Sequence, residues 1–137
     1  MMPEAIPAPY TGHVFVYGTL RRGDDNDINR LQPAPRLVGP AAVGGTMYHL
    51  GAYPGVVLGG SKRVVGEVYA ISATLQQVLD EIEEVYPQQR DEYYKRVIQV
   101  VVQGNEISCL VYEINPVYIV GRPVITTGDW VRDRNRF

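Results

Sequence analysis

Fourteen glycines and ten prolines are spread along the whole of this 137-residue chain. Punctuation that dense leaves little room for long helices and favours short strands joined by turns. The length fits one domain, and a chain of this size buries about 70% of the surface its unfolded form exposes. It therefore needs no staple to hold a core. Hydrophobic residues make up 45% and charged residues 20% of the chain, as in an ordinary globular protein. Thirteen Lys and Arg against fifteen Asp and Glu give a net charge of −2. That balance supplies no general attraction to nucleic acid or anionic membrane. A single cysteine, Cys109, excludes a disulfide framework and any multi-cysteine metal site.

The strongest local patterns are strands. His13-Val14-Phe15-Val16-Tyr17 is a short apolar run rich in β-formers, closed by Gly18, and predicts a buried strand. Strand signals return over 37–50, broken at Gly39-Pro40 and Gly44-Gly45, and again from Val64 to Ile71, with a turn expected at Tyr53-Pro54-Gly55. Tyr93 to Val102 and Glu106 to Ile114, around Gln103-Gly104-Asn105, predict a hairpin. One helix is expected: Thr74 and Gln77 have capping-box spacing, Leu75, Val78, Leu79 and Ile82 follow with helical period, and Pro87 lies beyond. Residues 21–35 are expected to be loop or a short helix. The fold class is α+β: a small mixed, mostly antiparallel β-barrel with one main helix packed against it. A loose proline-rich arm over 1–12 precedes a single domain over 13–137.

Several apparent motifs carry little. Gly55 to Lys62 resembles a phosphate loop but lacks the Gly-Lys-Ser/Thr ending and a following helix. His13 and His49 have no ligand spacing and are expected to be structural or on the surface. Cys109, in mid-strand, is expected to be a buried small hydrophobe. Arg21-Arg22 reads as solvated flanking charge more readily than as an anion site. No run of about 18 apolar residues is present, which argues against a membrane helix. The N-terminus, Met1-Met2-Pro3-Glu4, lacks a basic segment followed by an apolar core, so the expectation is a soluble cytoplasmic protein.

Two features point to chemistry. Val16-Tyr17-Gly18-Thr19-Leu20 ends the first strand at a glycine, where a sharp turn can aim consecutive N–H groups at a carboxylate or an oxyanion. The alternative is a plain turn. The second feature is the acidic stretch Asp80-Glu81-Ile82-Glu83-Glu84. On a wheel with Leu75 at 0°, the apolar face centres near about 350°, while Asp80, Glu84 and Glu81 fall at about 140°, 180° and 240°. These three are expected to face solvent. Glu83 falls at about 80°, on the flank of the apolar face. Partial desolvation there raises a carboxylate pKa and suits a base working near neutrality. The other reading is that Glu83 borders the core and pairs with a strand arginine.

Six motifs occur in one order: Tyr17-Gly18-Thr19-Leu20, Gly51-x-Tyr53-Pro54-Gly55, Val65-Gly66-Glu67-Val68-Tyr69, Leu79-Asp80-x-x-Glu83, Tyr94-x-Arg96 and Ile125-x-x-Gly128-Asp129-Trp130. Together they resemble the γ-glutamylcyclotransferase-like family, in its γ-glutamylamine cyclotransferase and AIG2-like branch, across roughly residues 13 to 131. The resemblance implies a barrel with a cavity at its mouth. It implies that the amides of Tyr17, Gly18, Thr19 and Leu20 hold the substrate carboxylate, that Glu83 is the general acid and base, and that Tyr53, Tyr94 and Arg96 lie near the cavity. Glu84-Val85 stands where the family often has Glu-Gly, and the loop over 86–92, expected to border the cavity, is longer than usual.

The implied reaction closes the substrate's α-amine onto its own γ-carbonyl, releasing 5-oxoproline and an amine or amino acid. It implies a small γ-glutamyl substrate, and no metal, nucleotide or other cofactor. Nucleic acid and membrane are not expected as partners. The chain is expected to be a monomer or a homodimer. A non-catalytic small-molecule-binding module on the same barrel is the alternative.

Overall fold

Period-two burial organises the molecule around its first strand. The computed structural model describes residues 11–82 and 92–136. β1 (His13–Val16) sends Val14 and Val16 to one face of the sheet and Phe15, followed by Tyr17, to the other. Each pair enters a separate apolar cluster, so the run is apolar throughout because both faces are covered. β2 (Arg36–His49) and β3 (Pro54–Ala70) form a long antiparallel pair, β4 (Tyr93–Val102) and β5 (Asn105–Ile114) a hairpin. The strand order is β2-β3-β1-β5-β4. β1 runs antiparallel to β3 and parallel to β5, so the sheet is mixed and mostly antiparallel, as expected.

The sheet curls without closing. At Gly39 on edge strand β2, an added Cβ would lie 2.9 Å from Val102 Cγ1 on β4, the opposite edge. Only a missing side chain lets the two edges meet this closely, and they meet by packing. The inside of the curl holds Phe15, Met47, Val68, Val100 and Val111, with Trp130 buried in the same cluster. α1 (Ala73–Ile82) covers the outer face through Leu75 and Leu79, against Val14, Val16, Leu110 and Ile114.

Several expectations need correction. Ser72, rather than Thr74, caps α1: its Oγ accepts from the Leu75 N–H at 3.0 Å. The glycine pairs in 37–50 do not break the strand. They become register shifts at Leu37/Gly39 and Gly44/Gly45 within a continuous β2. Opposite the second shift, residues 59–62 of β3 are left out of the ladder, so the would-be phosphate loop is a bulge in a strand. β3 begins at Pro54, inside the turn expected at Tyr53-Pro54-Gly55. Asp80 does not face solvent; its carboxylate binds Lys95 Nζ (2.7 Å) and the Tyr112 hydroxyl (2.6 Å). The hairpin is as expected, with a two-residue turn at Gln103-Gly104. Residues 21–35 contain one 3₁₀ turn, at Ile28–Arg30. Among the described residues, no helix is long and apolar enough to cross a membrane. Most of the expected N-terminal arm, through residue 10, lies outside the described residues.

Candidate active site

The end of β1 forms one wall of a cleft. Gly18 is buried against Pro54; a Cβ there would lie 2.8 Å from Pro54 Cγ, so the chain passes only because the side chain is absent. The loop then tightens through its carbonyls. Gly18 accepts from the Arg21 N–H, Thr19 from Asn26 and Leu20 from Ile28, each at 2.9 Å. The N–H groups of Gly18, Thr19 and Leu20 donate to nothing among the described residues. Three successive backbone donors thus stay available beside the cleft, the arrangement the glycine-ended strand suggested.

The cleft has a volume of about 230 Å³. Tyr17, Gly18, Thr19 and Leu20 line it, and so does Tyr53, as expected. Tyr94 and Arg96 are not among its lining residues, contrary to expectation. Arg96 is exposed, ion-paired with Glu113 at 2.8 Å, and stands over the Tyr94 ring at 5.3 Å. The strand alternates, and Tyr93 is the residue turned to the cleft, its hydroxyl donating to the Pro54 carbonyl at 2.9 Å. Tyr112 and Glu92 also line the cleft; Tyr112 was not anticipated, whereas Glu92 ends the 86–92 loop that was expected to border the cavity. Tyr112 was findable: it shares the period-two face of Leu110 and Ile114 on β5. Glu92 was legible only as the end of that loop; its pairing with Tyr53 had no local signal.

Ile82, the last described residue of α1, lines the same cleft. Glu83 follows it directly and lies outside the described residues, as do Glu84 and the loop through residue 91. The described part of the helix is fixed in azimuth by the pairing of Asp80 with Lys95 and Tyr112. The Tyr112 carbonyl in turn accepts from the Tyr17 hydroxyl at 2.6 Å. The helix that leads to Glu83 and the strand that leads to Gly18 are therefore linked through one tyrosine.

A second brace lies behind the loop. Arg21 binds Glu67 and Asp129 at 2.8 and 2.9 Å and is not a solvated flanking charge. Burial lowers its pKa, but the two carboxylates outweigh burial and the net shift is upward. Asp24 is buried and holds Arg134. Asp27 accepts from the N–H groups of Gly23 (2.8 Å) and Asn29 (2.9 Å). His49 is structural, as expected: one ring nitrogen accepts from the Gly51 N–H and the other meets the Arg134 carbonyl at 2.9 Å. Cys109 is fully buried, and burial pushes its thiol up to about 11.

The fold and cleft define a small mixed-sheet protein with a turn beside its cleft whose successive backbone N–H groups are left without acceptors among the described residues. The family described as Gamma-glutamyl cyclotransferase, AIG2-like matches residues 14–132, and the chain belongs to that family. Over 113 residues it is 33% identical to gamma-glutamylaminecyclotransferase of Bos taurus, covering 72% of this chain and 63% of that protein. Over 89 residues it is 36% identical to the gamma-L-glutamyl-butirosin B gamma-glutamyl cyclotransferase of Niallia circulans, covering 61% of this chain and 56% of the other. The chain thus spans less than two thirds of either relative. Among solved structures, an AIG2-like protein from Mus musculus superposes with a TM-score of 0.67 at 25% identity, over 82% of this chain and 84% of the other.

Proposed function

We propose that this chain converts a γ-glutamyl amine or γ-glutamyl amino acid into 5-oxoproline and the free amine, in the cytoplasm, with Glu83 as general acid and base. One observation carries the reading: three unpaired backbone donors, at Gly18, Thr19 and Leu20, border the same cleft as Ile82, the residue before Glu83. The N–H groups suit the substrate's α-carboxylate and the oxygen that gains charge during attack.

The chemistry follows from those parts. Glu83 takes a proton from the α-ammonium. The freed amine attacks the γ-carbonyl carbon, forming the ring C–N bond and a tetrahedral oxyanion. The oxyanion collapses, the bond to the leaving amine breaks as Glu83 returns its proton to that nitrogen, and the second proton on the ring nitrogen passes through the Glu83 carboxylate to the released amine, which departs as an ammonium. Nucleophile and electrophile belong to one molecule, so holding it curled in a small cleft supplies much of the rate. The name of the bovine relative supports an amine as leaving group.

The test is release of 5-oxoproline from γ-glutamyl dipeptides, γ-glutamylamines and glutathione, with Glu83→Gln in parallel. Wild type is expected to release it. The isosteric variant is expected to lose at least about a hundredfold in kcat, the scale of general acid–base catalysis, with an unchanged melting temperature. Full activity in Glu83→Gln removes Glu83 from its role. Binding of these compounds without release from any of them makes the barrel a binding module.

A further inference from the structure

Glu92 is nine-tenths buried, with only 9% of its surface exposed, yet it lines the cleft. Its Oε2 accepts from the Tyr53 hydroxyl at 2.5 Å. Among the described residues, no Lys, Arg or His pairs with it, and Oε1 has no partner. A carboxylate has about four acceptor positions, and one hydroxyl fills only one of them. Asp25 is the other charged residue among the described lining, and it is exposed. Neither a cation nor a second donor from those residues balances Glu92.

The surroundings of Glu92 are aromatic. The Tyr53 and Tyr93 rings, both lining the cleft, lie 6.4 Å apart at 51°. Ring faces attract organic cations, and a buried carboxylate beside them adds a directional partner. The anion-holding part of the cleft is the turn at Gly18–Leu20, on a different loop. What the proposed reaction leaves to be accommodated near Tyr53, Glu92 and Tyr93 is the departing amine.

We propose that Glu92, Tyr53 and Tyr93 form a subsite for an organic ammonium on the leaving group. The preferred substrates are then γ-glutamyl amides of amines that carry a second, positively charged nitrogen. Amides whose leaving group ends in a carboxylate meet Glu92 as a like charge and are disfavoured. The inference rests on the cyclotransferase reading and adds to it the charge of the leaving group and the residue that selects it.

The experiment compares three γ-glutamyl amides of matched chain length, made from cadaverine, pentylamine and δ-aminovalerate, whose tails are cationic, neutral and anionic. For the wild type, kcat/KM is expected to be at least about tenfold higher for the cationic than for the neutral tail, the scale of a hydrogen bond to a charged group, and lowest for the anionic one. In Glu92→Gln the ratio of kcat/KM for the cationic over the neutral tail is expected to fall to about one, since the variant loses the charged contact that sets the preference. Equal kcat/KM for all three tails in the wild type overturns the inference, and this arm decides even if the variant does not fold. An equal fall for all three substrates in a folded Glu92→Gln also overturns it, since that marks Glu92 as shared machinery. Absence of 5-oxoproline from every substrate is a different signal: it overturns the cyclotransferase reading, and the subsite with it.

Discussion

Tyr93 and Tyr94 are neighbours in sequence and point to opposite faces of β4. One packs beside Tyr53 in the cleft; the other lies under Arg96, away from it. The sequence pattern located the strand, but its parity depends on how β4 pairs with β5, and that is a long-range fact. Cys109 shows the opposite case, since a lone cysteine in an apolar run is legible as core. With its thiol pushed up to about 11, Cys109 is expected to resist a thiol reagent at pH 8, and to react at once in denaturant. Rapid labelling of the native protein would contradict that. Asp27 gives a pH prediction. Burial raises its pKa, but the N–H groups of Gly23 and Asn29 outweigh burial, so the net shift is below the ordinary 3.8. Its stabilisation is therefore fully present above about pH 4 and is lost as pH falls through the depressed folded value. Asp27→Asn is expected to flatten the stability profile in that acid window, as measured by urea unfolding at a series of pH values.

At the scale of elements, local signals carried furthest where structure is local. β1, the β4–β5 hairpin and α1 were all legible from periodicity and turn residues. The first half of β3 was not. Pro54-Gly55 and Gly59-Gly60 look like loop, but Pro54 opens the strand and the second pair sits in a bulge beside β2. The wheel of α1 was also rotated. It treated Asp80 as solvated because a wheel cannot see Lys95 and Tyr112 waiting on the sheet. That contact defines a positioning role. Asp80→Asn removes the charge that Lys95 meets while keeping the shape, and is expected to cost about 1–3 kcal/mol of stability. It is also expected to lower kcat by about tenfold with little change in KM, through misplacement of the helix that leads to the proposed base. A fall in stability with unchanged kcat would confine Asp80 to a structural part.

For the molecule as a whole, the brace at Arg21 matters most. It joins the loop after β1 to Glu67 on β3 and to Asp129 near the end of the chain. None of these pairings has a local signature; each needs the fold first. Arg21→Gln leaves two largely buried carboxylates beside each other and is expected to cost about 3 kcal/mol, as broken buried pairs do. Urea unfolding measures the loss. The gap from wild type is expected to persist in high salt, because screening reaches buried pairs poorly.

The parallel pairing of β1 with β5 has a consequence for the order of events. Val14 finds its place beside Leu110, so the centre of the sheet is assembled from the two ends of the domain. Contacts this distant in sequence are slow to form, because a large loop must close before they give anything back. A nascent chain still short of β5 holds the Gly18 turn on a strand with one neighbour missing. The donors at the mouth of the cleft then reach their final geometry only after nearly the whole domain has left the ribosome, and the cleft is among the last parts of the molecule to exist.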